Sequence, residues 1–231
     1  MNLSDLLINE REKVSLADVY LTEENRFQIQ QLLKERQYFD VLQDFGLPVN
    51  NKVLLTGSSG CGKTTTAKMI ATEIEKPLYV LNLSNIVSAR IGETAQHLKL
   101  VFDRIARESA VLFLDEFDQI GKARGHSDTD VGEMRRLVNS LIQLIDYLPE
   151  KVLLICATNH HDIIDTALLR RFQVNMDFSL PTNGQLNTYY ENLLSKFPES
   201  IRNIERLFGL SYAQAKDYAY TQLKIKVLSQ F

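Results

Sequence analysis

Five short apolar runs recur between long polar-faced stretches: Val53 to Thr56, Leu78 to Leu83, Ala110 to Leu114, Val152 to Ala157 and Val174 to Phe178. Runs this short and this apolar read as strands covered on both faces, and the stretches between them carry helical periodicity. Leu98, Val101, Phe102 and Ile105 fall on one helical face, and Met134, Leu137, Val138, Leu141, Ile145 and Leu148 form a second stripe at the same period. Both stripes are packing surfaces. Alternation of strands and amphipathic helices predicts an α/β fold with a parallel sheet and helices on both sides.

The pattern changes at either end. Before the first run, residues Phe27 to Phe45 read as one lead-in helix carrying Tyr38, Val41, Leu42 and Phe45 on one side. Pro181 closes the last strand, and from Thr182 the pattern is helical, broken by Pro198 and Gly209 into three short pieces. Ser211-Tyr-Ala-Gln214 has capping-box spacing and should open the last of them. The expected organisation is a large α/β domain over 1–180, including the helical lead-in, and a small helical lid over 181–231.

Composition narrows the classes without choosing among them. The 231 residues, 45% hydrophobic and 24% charged, are those of an ordinary globular protein with a sizeable core. A net charge of −3 gives no global attraction to nucleic acid. Cys61 and Cys156 are the only cysteines, too few for a disulfide framework, which points to a reducing compartment. No run approaches the roughly 18 apolar residues of a membrane span, so the expectation is a cytoplasmic protein.

Candidate chemistry begins where the first strand ends. Residues Gly57-Ser58-Ser59-Gly60-Cys61-Gly62-Lys63-Thr64 follow the run Lys52 to Thr56 and lead into the helical stretch from Thr65. A glycine-rich turn between a strand and a helix aims successive N–H groups at an anion, and the helix adds the positive end of its dipole. In such a phosphate loop Lys63 reaches the β- and γ-phosphates of a nucleotide and the Thr64 hydroxyl ligates Mg²⁺. The strand Val111-Leu-Phe-Leu then delivers Asp115 and Glu116 side by side. Asp115 suits Mg²⁺ and its waters, and Glu116 suits polarising an attacking water, because phosphoryl transfer to water needs orientation and charge placement. The strand Val152 to Ala157 ends in Thr158-Asn159, a neutral amide for the water or the γ-phosphate. Arg170 and Arg171 precede Phe172 and the final strand, and a guanidinium fork suits charge developing on phosphate oxygens.

In order and spacing these elements resemble the AAA branch of the AAA+ ATPases, over about residues 15 to 230. The resemblance implies a five-stranded sheet in the order 5-1-4-3-2, with ATP and Mg²⁺ held by the loop through Thr65. It implies that Arg170 and Arg171 act in a neighbouring subunit, so that a ring, usually a hexamer, is the working unit. Asp18-Val19-Tyr20 resembles the segment whose backbone reads adenine, and Gly209-Leu-Ser211-Tyr212-Ala213 the lid segment beside the nucleotide, with Tyr212 where a glycine is common. No arginine stands at the lid's sensor position. Asn82 matches the polar residue that holds the glutamate away from water in many relatives.

One departure touches function. Where relatives that thread polypeptides carry aromatic-apolar-Gly, this chain has Arg90-Ile91-Gly92, and a second polar insert runs from Gly121 to Asp128 through Lys122 and Arg124. These leave three expectations. Foremost is a ring ATPase remodelling a protein partner, then a nucleic-acid remodeller or loader, then a switch whose assembly follows ATP binding. His97, His126, His160 and His161 have no metal-ligand spacing with the cysteines.

Overall fold

The computed structural model describes residues 7–83, 91–122 and 128–229. The loop carrying Arg90 and the part of the polar insert carrying Arg124 and His126 lie outside the described residues, as does the Lys122 side chain.

Six strands form one sheet: β1 (Ile8–Glu10), β2 (Lys52–Gly57), β3 (Leu78–Asn82), β4 (Val111–Asp115), β5 (Leu153–Thr158) and β6 (Val174–Phe178), in the spatial order β1-β3-β4-β5-β2-β6. The five expected strands all form, with β3, β4, β5 and β2 paired in parallel. β6 runs beside β2 in the same sense, since Gln173 N–H donates to the Lys52 carbonyl and Ser58 N–H to that of Phe178. The sheet departs from the five-stranded expectation through β1, which pairs antiparallel with β3, Ile8 opposite Val80. β3 would otherwise be an open edge with a row of unpaired backbone groups. Three residues containing one aliphatic side chain carry no strand period, so only docking defines this strand. Lys68 fastens it, its ammonium lying 2.9 Å from Glu10 and 2.7 Å from Glu12.

Among the described residues the α-helices, in chain order, are α1 (Glu23–Gln37), α2 (Phe39–Asp44), α3 (Lys63–Glu73), α4 (Ile91–Glu108), α5 (Gln119–Lys122), α6 (Asp128–Asp146), α7 (Thr166–Leu169), α8 (Asn183–Leu194), α9 (Glu199–Arg202) and α10 (Tyr212–Leu228). The lead-in is two helices and not one, because Tyr38 leaves helical geometry at φ −104°, ψ 29° and serves as C-cap of α1 and N-cap of α2. Arg36 anchors the end of α1 by donating to the carbonyls of Glu150 and Asn50, 2.6 Å each, and burial pulls its guanidinium down to about 10. Tyr38, Val41 and Phe45 are exposed, so the apolar side of the lead-in is not core.

The chain folds as two compact units, Met1–Thr56 with Thr64–Asp177, and Gly57–Lys63 with Phe178–Phe231. In the first, Leu98, Val101, Phe102 and Ile105 of α4 and Leu137, Leu141 and Ile145 of α6 are buried together with Leu112, Leu114 and Leu154 of the sheet. The two helical stripes thus pack as one core. In the second, α8 and α10 each open on a capping box, at Thr182 and Ser211, and bury Leu186, Tyr190, Ala215, Ala219 and Leu223. The Tyr190 hydroxyl donates to the Leu207 carbonyl at 3.0 Å, satisfying the polar end of a buried ring. The phosphate loop groups with these lid helices, which no single cut along the chain expresses.

Candidate active site

The loop between β2 and α3 turns through two glycines that no other residue replaces. Gly57 has φ +121°, and a Cβ there would lie 2.3 Å from the Phe178 carbonyl oxygen; Gly60 has φ +73°, and its Cβ would lie 2.6 Å from Ser211 Oγ and 2.8 Å from Ala213 Cβ. Lys63 folds back into the loop, its ammonium donating to the carbonyls of Gly57 at 2.8 Å and Ser58 at 2.9 Å, with 8% of the residue exposed. A cation held inside a ring of backbone turns, at the start of the eleven-residue α3, fits a polyphosphate by charge and by dipole. Ala213 N–H donates to the Gly60 carbonyl at 3.1 Å, so the lid segment Ser211-Tyr212-Ala213 meets the loop directly. The Tyr212 ring, at the position where a glycine is common, packs 5.2 Å from that of Tyr189. Cys61 is buried in the same loop.

In the other unit, the parallel strands bring the remaining candidates to one edge. Asn82 and Asp115 are in register at the ends of β3 and β4, and Thr56 is in register with Thr158 at the ends of β2 and β5. Asn159 follows directly. Asp115 Oδ1 accepts from the Glu116 N–H at 2.9 Å, and Glu116 itself sits at φ +53°, a left-handed conformation costly for a residue with a side chain. That twist turns the chain sharply, and Phe117 N–H returns to donate to the Ala157 carbonyl at 2.9 Å. Thr64 and Thr65 open α3, and Asp18-Val19-Tyr20 follows a segment sewn to that helix, where Val14 N–H donates to Thr72 Oγ1 at 3.2 Å.

The two arginines stand apart from this group. Gln173 N–H bonds to the Lys52 carbonyl, so Arg170 and Arg171, two and three residues earlier, lie toward the end of the sheet where β2 starts, while Thr56 and Thr158 mark the far edge. Four residue steps separate the two edges, about 13 Å at 3.3 Å per residue. Arg171 is tied down there. Its Nε and Nη2 donate to the two carboxylate oxygens of Asp146 at 2.9 and 3.0 Å, and its Nη1 to the Ala167 carbonyl. Arg170 is exposed.

Comparison with known proteins bears on the fold and the family. The family described as "ATPase family associated with various cellular activities (AAA)" matches residues 53–180, more than half of the chain. The chain belongs to the AAA family of ATPases. An uncharacterized AAA family ATPase of Sinorhizobium fredii is 32% identical over 216 residues, covering 92% of this chain and 65% of that protein. A putative 26S proteasome regulatory subunit homolog of Methanothermobacter thermautotrophicus is 28% identical over 203 residues, 84% of this chain and 54% of that protein. The crystal structure of the FIGL-1 AAA domain in complex with ADP has the same fold, with a TM-score of 0.75, 21% identity and coverage of 98% of this chain and 78% of that one. The chain thus spans between half and two thirds of these two curated relatives. Among the described residues no helix is long and apolar enough to cross a membrane, and no His, Cys, Asp and Glu cluster forms a metal site.

The matched family is described as one of ATPases. A residue that the sequence motifs pass over also emerges: Asp118, 2% exposed, accepts from the buried Thr158 hydroxyl at 3.0 Å. A lone acid between Phe117 and the Gln119-Ile120 pair, three residues after Asp115, is the signal that could have found it.

Proposed function

We propose that the protein is one subunit of a ring ATPase, hexameric as the resemblance implies, that binds ATP on its Gly57–Lys63 loop and couples hydrolysis to remodelling of a protein partner. The observation that carries the shared site is the position of Arg170 and Arg171, a sheet's length from the chain's own Asp115, Glu116 and Asn159. Arginines so placed do not serve their own subunit's γ-phosphate. They suit the site of a neighbour.

In this reading the N–H groups of residues 57–62 and the Lys63 ammonium bind the phosphates, with Thr65 continuing the cradle into α3. By the same resemblance, the backbone of Asp18-Val19-Tyr20 reads the adenine, and Ser211-Tyr212-Ala213 belongs to the lid segment beside the nucleotide. Thr64 and Asp115 would hold Mg²⁺, which supplies neutralisation of phosphate charge. Glu116 polarises the attacking water, and Asn159 orients it or the γ-phosphate. The neighbour's arginine stabilises charge on the transferring group, an effect worth roughly 10³ to 10⁵ in rate. The lid–loop hydrogen bond from Ala213 to Gly60 supports a lid that senses phosphate occupancy.

The test is ATPase rate against protein concentration for the wild type, Glu116→Gln and Arg170→Ala, with mixtures of the two variants. Specific activity rising steeply with concentration, and recovered in mixtures, is the expected result. Flat specific activity, indifferent to Arg170→Ala, would mean a site complete in one subunit and would end the ring reading.

A further inference from the structure

Asp118 is a carboxylate in the interior with no place in the roles assigned above. Its Oδ1 accepts from Thr158 Oγ1 at 3.0 Å, and that same hydroxyl oxygen accepts from the His160 N–H at 2.9 Å. Asn159 is therefore the middle residue of a turn closed across Thr158 and His160, and the anchor of that turn is Asp118. On the other side, Asp118 is two residues from Glu116, in a turn closed by Gln119 N–H donating to the Glu116 carbonyl at 2.9 Å. Between them, Phe117 is fully buried, with its ring 5.6 Å from that of Phe172 in an edge-on contact. Glu116 at φ +53° has no local preference for its conformation, so the packing and hydrogen bonds of this turn must hold it.

We infer that Asp118 is a positioning residue for hydrolysis: through Thr158 it fixes the spacing between the Glu116 turn at the end of β4 and the Asn159 turn at the end of β5. In that role it acts through Thr158 and not on the reacting atoms. A water polarised by one side chain and oriented by another tolerates little error in their separation, and misplacement by about 1 Å costs on the order of 10²-fold in rate. A buried hydroxyl–carboxylate bond with one partner on each strand end supplies that constraint in a place where water does not compete. The inference rests on the roles proposed for Glu116 and Asn159.

The experiment measures kcat, KM, ATP affinity by direct titration, and thermal midpoint for Asp118→Ala, Asp118→Asn, Thr158→Val, Thr158→Ser and the double variant Asp118→Ala/Thr158→Val, beside the wild type and Glu116→Gln. Asp118→Asn keeps an acceptor oxygen and Thr158→Ser keeps the donor, so both should stay within about three-fold of wild-type kcat. Asp118→Ala and Thr158→Val should each lower kcat roughly 10- to 100-fold with ATP affinity changed no more than about two-fold, and the double variant should be no worse than the weaker single. Thr158→Val is nearly isosteric and reports on the contact even if Asp118→Ala does not fold. Full kcat per folded molecule in both single variants would overturn the inference, and so would losses that multiply in the double variant. A wild type that turns over ATP without regard to Glu116 would instead remove the functional reading beneath it.

Discussion

Arg170 and Arg171 are adjacent in sequence and different in structure, and that difference predicts unequal roles. Arg171 makes two charge-assisted bonds to Asp146, at 2.9 and 3.0 Å, with side-chain exposures of 29% and 44%. A bidentate pair this open to solvent is screened, so releasing it costs about 1 kcal/mol, near five-fold in population. Arg170 pays no such cost to reach another chain. An arginine that stabilises the phosphoryl transition state is worth about 4 to 7 kcal/mol. Arg170→Ala should therefore lower kcat at saturating protein and ATP by at least roughly 10³-fold, without weakening ATP binding by the same subunit. Arg171→Ala should cost about 5- to 10-fold, through loosening of the α7 turn, and Asp146→Ala should reproduce that loss because it removes the other half of the pair. The assay is steady-state phosphate release above the assembly concentration, repeated at two salt concentrations, since the Arg171 and Asp146 effects should shrink as salt rises. A 10³-fold loss for Arg171→Ala with Asp146→Ala at or above wild-type rate would refute the reasoning and make Arg171 the group that crosses to the neighbour.

Other positions yield to shorter arguments. Glu116→Gly relieves a left-handed backbone and should raise stability by about 1 kcal/mol while abolishing turnover, whereas Glu116→Gln should abolish turnover with no gain; chemical denaturation midpoints separate the two, and equal stability would show that the turn carries no strain. Gly60→Ala forces a Cβ into Ser211 Oγ and Ala213 Cβ at φ +73°, so ATP affinity should fall at least ten-fold and protease nicking of the lid should rise; titration and limited proteolysis check both. The Lys68 clamp makes the β1 edge sensitive to pH. Hydrogen bonding to Lys68 holds the Glu10 carboxyl below its usual range, so its contribution is present above the unfolded carboxyl value and lost as pH falls through the folded one. Burial lowers the Lys68 ammonium, but hydrogen bonds to Glu10 and Glu12 raise it further, so its share is full below the usual lysine value and lost as pH rises through the folded one. Protection factors for the amides of residues 8–10 should therefore fall in Lys68→Met at neutral pH and in the wild type as pH drops below the ordinary carboxylate range, and unchanged protection in the variant would remove the clamp.

The features legible in the amino-acid sequence share one property: their chemistry lies in adjacent residues. A phosphate loop needs its glycines, lysine and threonine within eight positions, and Asp115 with Glu116 or Thr158 with Asn159 are neighbours because a strand tip delivers consecutive side chains. The helical stripes of α4 and α6 are legible for the same reason, since period is a local signal. What stays hidden depends on partners far along the chain. Asp118 meets Thr158 across 40 positions, and β1 exists only because β3 offers it an edge. Tyr38, Val41 and Phe45 keep a helical period yet face solvent, because Arg36 pins α1 to the turn at Glu150 and α2 departs in a new direction. The arginine pair shows the limit most sharply. In sequence Arg170 and Arg171 are equivalent, and a carboxylate 25 positions upstream of Arg171 distinguishes them. A site shared between subunits asks more of such distant ties than one closed within a chain, because each arginine must be held by its own subunit in the posture another subunit needs. If Asp146 holds Arg171 and Asp118 sets the spacing of Glu116 and Asn159, two acids outside every recognised motif fix geometry on both sides of such a site.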